Sequence, residues 1–188
     1  MNVYDFDKTI YKGDSSTQFY FFALKKKKRV LLYLPLQFFA FVMMSLKIFS
    51  KTKAKGYFFS FFKCFEDIDA VTAEFWEKKK DNIYKRYYVS HRTDDVIVSA
   101  SPQFLLEPVK DILKVERIIG SPVDKKTGKF YGPNCYGKEK VKRFEEFYDK
   151  SEIEAFYSDS FSDTPLANLA KRSYIVRGEE SIPWVYAK

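Results

Sequence analysis

Residues 2–10 of the chain read NVYDFDKTI, an apolar stretch that runs directly into two aspartates, Asp5 and Asp7. The stretch Asn2–Phe6 predicts a very short β-strand that ends in these acids. Two buried carboxylates this close repel each other when both are ionised, so such a pair favours a bound cation or a catalytic proton held by one member. A nucleophilic carboxylate beside a second acid that protonates a leaving oxygen suits phosphoryl transfer.

The second half of the chain predicts an α/β fold. Beyond Asp94, short β-branched runs alternate with amphipathic helical patterns, as in a Rossmann-like, doubly wound and mostly parallel sheet. The predicted strands cover residues 96–100, 117–123, 155–160 and 173–177, and the predicted helices cover 102–113, 138–150 and 165–172, with a hairpin turn at Gly128. In open parallel sheets ligands bind beyond the carboxyl ends of the strands, so the residues that follow these strands are the candidates for a site.

Polar residues stand at these strand ends. Ser99 and the backbone amides beside it suit a phosphate cradle, although a helix N-cap is the commoner use of such a serine. Asp159 and Asp163 add two carboxylates to Asp5 and Asp7, and an oxygen-only set of ligands suits Mg²⁺ better than zinc or copper. We expect Asp163 also to cap the helix that follows it.

Phosphoryl transfer also requires a fixed cation, because the charge that develops on the phosphoryl group needs a positive partner besides a metal. The predicted helix after Gly137 offers Lys138, Lys140 and Lys142. Their spacing leaves the choice among the three open.

These elements, in this order, resemble the haloacid dehalogenase superfamily of hydrolases, in the branch (subfamily IB) that contains the phosphoserine phosphatases. The run Asp5-Phe6-Asp7-Lys8-Thr9 matches the first motif of the family, DxDx(T/V). The resemblance implies that Asp5 is an aspartyl-phosphate nucleophile and that Asp7 is the general acid/base, whose backbone carbonyl also binds Mg²⁺.

The second and third motifs concern the phosphate. Ser99 and the Ala100 amide match the second motif and are expected to hold phosphate oxygens. Lys140 is the best match to the lysine of the third motif, and Lys138 is a near competitor.

The fourth motif concerns the metal. By resemblance Asp159 is a ligand of Mg²⁺ together with Asp5 and Asp7, and Asp163 is a second acid behind the metal. Serines on both sides of Asp159 replace the glycines usual in phosphoserine phosphatases. This difference bears on phosphoserine as the substrate and not on phosphatase chemistry.

The resemblance divides the chain into a catalytic core, residues 1–12 and 93–188, and an inserted helical cap, residues 13–92. A cap at this place usually selects the substrate in the superfamily. The cap is basic: residues 12–92 hold 17 Lys/Arg and 7 Asp/Glu, in a chain of net charge +8. Such a surface attracts anionic partners.

The segment Val30–Leu46 of the cap contains no charged residue and has lysines on both flanks. Its 17 residues fall short of the roughly 20 that span a bilayer. The segment therefore predicts a helix or helical hairpin lying in the interface of an anionic membrane, or else an apolar face packed on the core or on another subunit.

The cap and the motifs also resemble the bacterial phosphatidylglycerophosphatase C type within the same branch. This resemblance implies a lipid phosphate such as phosphatidylglycerophosphate as the substrate. The alternatives are a soluble phosphatase of a small metabolite and, from another class, a non-enzymatic aspartyl-phosphate switch. Asp14 stands where phosphoserine phosphatases place an acidic substrate contact, or it caps the first helix of the cap.

Other patterns are missing from the sequence. Two separated cysteines, Cys64 and Cys135, and one histidine, His91, give no disulfide or zinc pattern and little material for a histidine base. No secretory signal and no nucleic-acid-binding module is recognisable. We expect a cytoplasmic protein, peripheral at the inner face of the membrane, with a phosphorylated substrate, without nucleic acid and without an obligate protein partner.

Overall fold

The structure of the protein, a computed structural model, describes residues 1–186. Within them, six strands form one sheet and eight α-helices accompany it. The strands are β1 (Asn2–Tyr4), β2 (Val96–Pro102), β3 (Arg117–Ser121), β4 (Ala155–Ser158), β5 (Arg172–Arg177) and β6 (Glu180–Pro183). The helices are α1 (Ser15–Lys26), α2 (Leu34–Ser45), α3 (Lys51–Phe58), α4 (Ile68–Lys79), α5 (Lys85–Ser90), α6 (Gln103–Leu113), α7 (Lys138–Glu145) and α8 (Thr164–Ala167).

The sheet has the order β3-β2-β1-β4-β5-β6, and all neighbouring strands run parallel except β5 and β6. The chain passes from β1 to β2 and β3 on one side and later crosses to β4 on the other side of β1. The topological switch point therefore lies between β1 and β4, where ligands bind in such sheets. The predicted fold class, α/β with a Rossmann-like doubly wound sheet, is confirmed.

Side-chain alternation along β1 divides the core into two layers. Val3 faces the layer under α7 and α8. Tyr4 faces the opposite layer, where its ring stacks on Tyr157 with 4.7 Å between the centroids. In that layer the indole N–H of Trp76 in α4 donates a hydrogen bond of 2.5 Å to the carbonyl of Leu105 in α6. The helices between β1 and β2, called the insertion below, thus share a core with the sheet.

Two predicted helices end earlier than expected. Helix α7 ends at Glu145 because Asp149 starts a new 3₁₀ turn with its own capping box. Helix α8 ends at Ala167, since the amides of Lys171 and Arg172 donate to the carbonyls of Ile153 and Glu154 and continue the sheet instead.

Other boundaries differ at strands. Strand β2 reaches Pro102 through an irregularity after Val98, so Pro102 precedes α6 and does not lie in its first turn as predicted. Strand β6 was not predicted, because its residues are all exposed and lack an apolar alternation. Helix α3 gives way at Phe59 to a 3₁₀ segment, Phe59–Cys64, where the sequence predicted a continuing helix.

The predicted hairpin turn at Gly128 is present. Val123 and Phe130 form an antiparallel bridge across it, and Gly128 has a φ of +76°. A Cβ at Gly128 would lie 2.3 Å from the carbonyl oxygen of Phe59. The loop therefore packs directly on the insertion at a place where only glycine fits.

By length and composition alone, the segment Lys28–Ser45 passes for a helix that crosses a membrane, and only 11% of it is buried. It consists of a 3₁₀ helix, Lys28–Tyr33, and α2, which packs against α3 as a helical hairpin. Seven large apolar side chains of this segment and two just beyond it each expose between 38% and 72% of their surface. This apolar face comprises Leu31, Leu32, Leu34, Leu36, Phe38, Phe39, Phe41, Leu46 and Ile48.

Candidate active site

A cleft of about 510 Å³ lies beyond the carboxyl ends of β1, β2 and β4. Every residue predicted for the site lines it, although these residues are distant in sequence. They are Asp5, Asp7, Asp14, Ser99, Ala100, Lys140, Asp159 and Asp163. The switch point of the sheet brings them together, as expected for this topology.

Asp5 follows β1 directly, and its amide continues the sheet by donating to the carbonyl of Tyr157 at 2.8 Å. Its carboxylate is buried, with one oxygen 2.6 Å from Lys140 Nζ and the other accepting from Thr9 Oγ1 at 3.4 Å. Burial raises the pKa of Asp5 to about 7, against the opposing charge of Lys140. The side chain is thus held in one orientation by a cation and a hydroxyl.

Asp7 is positioned by a different set of donors. Its Oδ2 accepts from Ser101 Oγ at 2.6 Å, and its Oδ1 accepts from the backbone N–H of Ser15 at 2.7 Å. Burial, and next the charge of Asp14, raise the pKa of Asp7 to about 6. Asp5 and Asp7 therefore share the cleft but not their partners, which suits different roles in proton and phosphoryl transfer.

Lys140 joins the two ends of the constellation. Its side chain is 2% exposed, and the ammonium group lies 2.6 Å from Asp5 Oδ1 and 2.7 Å from Asp163 Oδ2. Burial acts to lower the pKa of Lys140, but the charges of both carboxylates outweigh it and raise the pKa. Lys138, the competing lysine, is exposed at the start of α7. The structure thus brings Lys140 and not Lys138 to Asp5.

Asp163 differs from its expected double use. It immediately precedes α8, but its side chain makes no capping hydrogen bond. One carboxylate oxygen accepts instead from Lys140 and from Ser158 Oγ, the latter at 2.8 Å. The second oxygen, Oδ1, is buried without a hydrogen-bond partner among the described residues.

The last part of β2, beyond its irregularity at Val98, carries Ser99, Ala100 and Ser101. Ser99 Oγ accepts from the amide of Ser101 at 3.2 Å, so it caps the turn and still lines the cleft. Ser101 was not among the predicted site residues, although its hydrogen bond to Asp7 is the shortest that these three residues make. The sequence signal for Ser101 is its place directly after the predicted strand 96–100, but this place gave it no role of its own.

Lys55 was also missed. It projects from α3 of the insertion into the cleft, where Nζ donates to the carbonyl of Ala100 at 3.0 Å and to Asn134 Oδ1 at 3.3 Å. Burial lowers the pKa of Lys55. No local pattern distinguishes it from the other lysines of the insertion, because its position depends on how α3 packs on the core.

Asp14 caps helix α1, the second of the two roles expected for it. Its carboxylate accepts from the amide of Thr17 at 2.7 Å and caps α1. The side chain also borders the cleft. The helix cap therefore does not remove it from reach of a substrate.

The donors in the cleft fit Mg²⁺. Asp159 follows β4, and its amide donates at 2.9 Å to Thr9 Oγ1, the hydroxyl that also contacts Asp5. Burial raises the pKa of Asp159, partly offset by the charge of Lys8. Within residues 1–186 no three His, Cys, Asp or Glu side chains are close enough to enclose a metal. Mg²⁺ keeps several waters and takes only one or two carboxylates, so the buried acids and the unpartnered oxygen of Asp163 suit it.

Fold and site together define an α/β protein whose carboxylates gather at the switch point of its parallel sheet. The sequence matches the model of the haloacid dehalogenase-like hydrolase family over residues 3–168. The chain belongs to this family, so the predicted superfamily and the prediction of an enzyme are confirmed. No curated protein matches the chain by sequence.

Solved structures show the same fold. A protein with unknown function from Bordetella pertussis Tohama I has a TM-score of 0.72 at 17% identity, covering 92% of this chain and 87% of the other. A phosphoserine phosphohydrolase-like protein from Francisella tularensis has a TM-score of 0.53 at 19% identity, covering 92% of this chain and 86% of the other. A probable phosphoserine phosphatase from Vibrio cholerae has a TM-score of 0.59 at 9% identity, covering 92% of this chain and 55% of the other. The chain thus spans little more than half of the Vibrio protein and shares its fold with these three proteins.

Proposed function

We propose that the protein is a magnesium-dependent phosphomonoester hydrolase in which Asp5 is the nucleophile and Asp7 the general acid/base. The observation that carries this proposal is the buried Lys140, whose ammonium group lies 2.6 Å from Asp5 and 2.7 Å from Asp163. Asp7 meanwhile is held by Ser101 and by the Ser15 amide. One aspartate is set for attack and the other for proton transfer.

The reaction then has two steps. An oxygen of Asp5 attacks phosphorus, the bond from phosphorus to the substrate oxygen breaks, and Asp7 gives its proton to the departing alcohol. Asp7 next takes a proton from water, which attacks the phosphorus of the aspartyl phosphate. Inorganic phosphate leaves, and the Asp5 carboxylate is regenerated.

Other groups of the chain neutralise and orient the phosphoryl group. Ser99 and the amide of Ala100 are the proposed donors to its oxygens, and Lys140 provides the fixed cation. Asp5, Asp159 and the backbone carbonyl of Asp7 are the proposed ligands of Mg²⁺. The metal, when bound, supplies charge neutralisation and orientation of the phosphate.

The apolar face favours a substrate at a membrane. It exposes large side chains beside Lys25–Arg29 and Lys47, and such a surface binds the interface of an anionic bilayer. The proposed substrate is therefore a lipid phosphate, such as phosphatidylglycerophosphate. The proposed location is the inner face of the cytoplasmic membrane, with residues 13–92 as the substrate-selecting cap.

A soluble phospho-metabolite is the second candidate substrate. The named neighbours with this fold are phosphoserine phosphatase-like, and Asp14 borders the cleft where an amine could be met. A non-enzymatic switch fits less well. An acid placed like Asp7 would speed hydrolysis of the aspartyl phosphate, and a switch that depends on this phosphate has no use for such an acid.

A panel of phosphomonoesters, including lipid phosphates in mixed micelles, tests the proposal. Wild type and Asp5→Asn are assayed with Mg²⁺ and with EDTA. We expect turnover only by wild type with Mg²⁺. Full activity of the variant, or activity that EDTA leaves unchanged, would refute the mechanism, and a preference for soluble esters would refute the lipid substrate.

A further inference from the structure

A second pocket, of about 420 Å³, lies between α3 of the insertion and the hairpin loop that contains Gly128. We call it the basic pocket. Its polar lining consists mainly of lysines and hydroxyls, among them Lys53, Lys63, Lys129, Ser50, Thr52 and Thr127, and no acidic residue lines it. It shares no residue with the catalytic cleft.

The walls of the basic pocket are held by close packing. The Gly128 backbone approaches the carbonyl of Phe59 so closely that a Cβ would lie 2.3 Å from it. The ring of Phe130 lies 6.2 Å from the ring of Phe59. Loop and insertion are thus joined by close packing beside the pocket, and the three lysines that line it are exposed.

Charge makes this pocket a site for an anion. Within residues 1–186, Lys53, Lys63 and Lys129 take part in no salt bridge. Lys53 lies instead 3.8 Å above the ring of Phe49. Three like charges around one cavity repel each other, and a bound anion removes that repulsion.

The neighbourhood of the pocket indicates what kind of anion. Leu36 lines the pocket and also belongs to the apolar face of α2. A ligand whose charged end meets the lysines therefore has its other end beside exposed leucine and phenylalanine. That combination describes an amphiphile and not a free phosphate.

We propose that the basic pocket binds the phosphate headgroup of an anionic phospholipid while the apolar face lies among the acyl chains. This inference rests on the membrane contact proposed above, but not on the phosphatase chemistry. Helix α3 separates the two sites, since Lys55 and Phe58 line the cleft while Lys53 and Tyr57 line the pocket. The bound lipid is a docking ligand and not the substrate.

The test is sedimentation of the full chain with phosphatidylcholine vesicles, with and without phosphatidylglycerol. The triple variant Lys53→Gln/Lys63→Gln/Lys129→Gln is expected to lower partitioning onto phosphatidylglycerol vesicles on the order of a hundredfold. A matched variant, Lys85→Gln/Lys110→Gln/Lys150→Gln, removes the same charge from exposed positions outside the pocket and away from the apolar face. It is expected to lower partitioning by less than about tenfold.

Equal losses of vesicle partitioning in the two variants would show diffuse electrostatic attraction and overturn the basic pocket as a binding site. Unchanged partitioning in both variants would overturn it as well. Displacement of wild type from vesicles by inorganic phosphate or soluble glycerophosphoglycerol would overturn the lipid assignment. Hydrolysis of p-nitrophenyl phosphate with Mg²⁺ is measured on all three proteins, because the lysines lie outside the cleft and turnover is expected to stay unchanged. Vesicle binding without any phosphatase activity would refute the proposed function and leave this inference standing.

Discussion

Ser101 Oγ donates a hydrogen bond of 2.6 Å to Asp7 Oδ2, across 94 residues of sequence. The bond ties the carboxyl end of β2 to the acid that follows β1. It also leaves the orientation of Asp7 independent of Lys140, which contacts Asp5 and Asp163. Two neighbouring strand ends thus position one carboxylate, and a helix lysine positions the other.

Replacing Ser101 with alanine is expected to lower kcat about tenfold to a hundredfold with little change in KM, since a hydrogen bond to a charged group contributes about 1.5–3 kcal/mol. Steady-state kinetics on a soluble phosphomonoester measure the effect. Ser15→Ala is the comparison. It keeps the backbone N–H that donates to Asp7 and removes a hydroxyl 3.1 Å from Ser101 Oγ, so a smaller loss is expected. Equal losses in both variants would contradict a positioning role for Ser101.

Lys140→Met is expected to abolish turnover and to destabilise the fold by about 3–5 kcal/mol, because it leaves Asp5 and Asp163 buried without their cation. Urea denaturation and activity are measured together. Lys138→Met, on the exposed start of the same helix, is expected to change stability by less than about 0.5 kcal/mol. Unchanged activity and stability of Lys140→Met would contradict the role of Lys140 and make Lys138 the candidate for the phosphate-binding lysine.

This choice shows where sequence reasoning ends. Lys140 is the best match to the family pattern and Lys138 a near competitor. In the structure α7 begins after Gly137, whose φ is +58°, and Lys140 is buried while Lys138 is exposed. Asp5 and Asp159, by contrast, could be predicted because they follow apolar strands whose carboxyl ends must meet.

Two features of the structure, Lys55 in the cleft and strand β6, could not be predicted from the sequence. Lys55 enters the cleft through tertiary packing of α3, and nothing in its neighbourhood differs from the other lysines. The exposed strand β6 lacks a hydrophobic pattern, so its pairing with β5 has no local signal. In both cases distant contacts and not local propensity determine the structure.

The metal-free protein is expected to lose stability as the pH rises. The folded-state pKa values of Asp5, about 7, and Asp7, about 6, lie above the unfolded value near 3.8. Stability that the protonated forms provide is complete below about pH 4 and disappears as the pH passes through 6 to 7. The Tm advantage of Asp5→Asn/Asp7→Asn over wild type in EDTA should therefore grow between pH 4.5 and 7.5, and a constant difference would contradict the raised pKa values.

Mg²⁺ is expected to raise the Tm of wild type at pH 7.5, because it binds the folded state and neutralises the buried acids. Asp159→Asn should reduce that shift, since Asp159 is a proposed ligand. Thermal melts over a Mg²⁺ titration give the measurement, with Ca²⁺ as the comparison ion. An undiminished shift in the variant would remove Asp159 from the metal site.

Gly128→Ala is expected to destabilise the protein by about 2–4 kcal/mol. The new Cβ would meet the Phe59 carbonyl at 2.3 Å, and alanine is also strained at a φ of +76°. Gly178→Ala is the matched control, with a φ of +61° and no atom within 4 Å of its Cβ, so only the backbone strain of about 1 kcal/mol remains. Urea denaturation of both variants separates the two terms, and equal losses would show that the contact between the hairpin loop and the insertion adds nothing to stability.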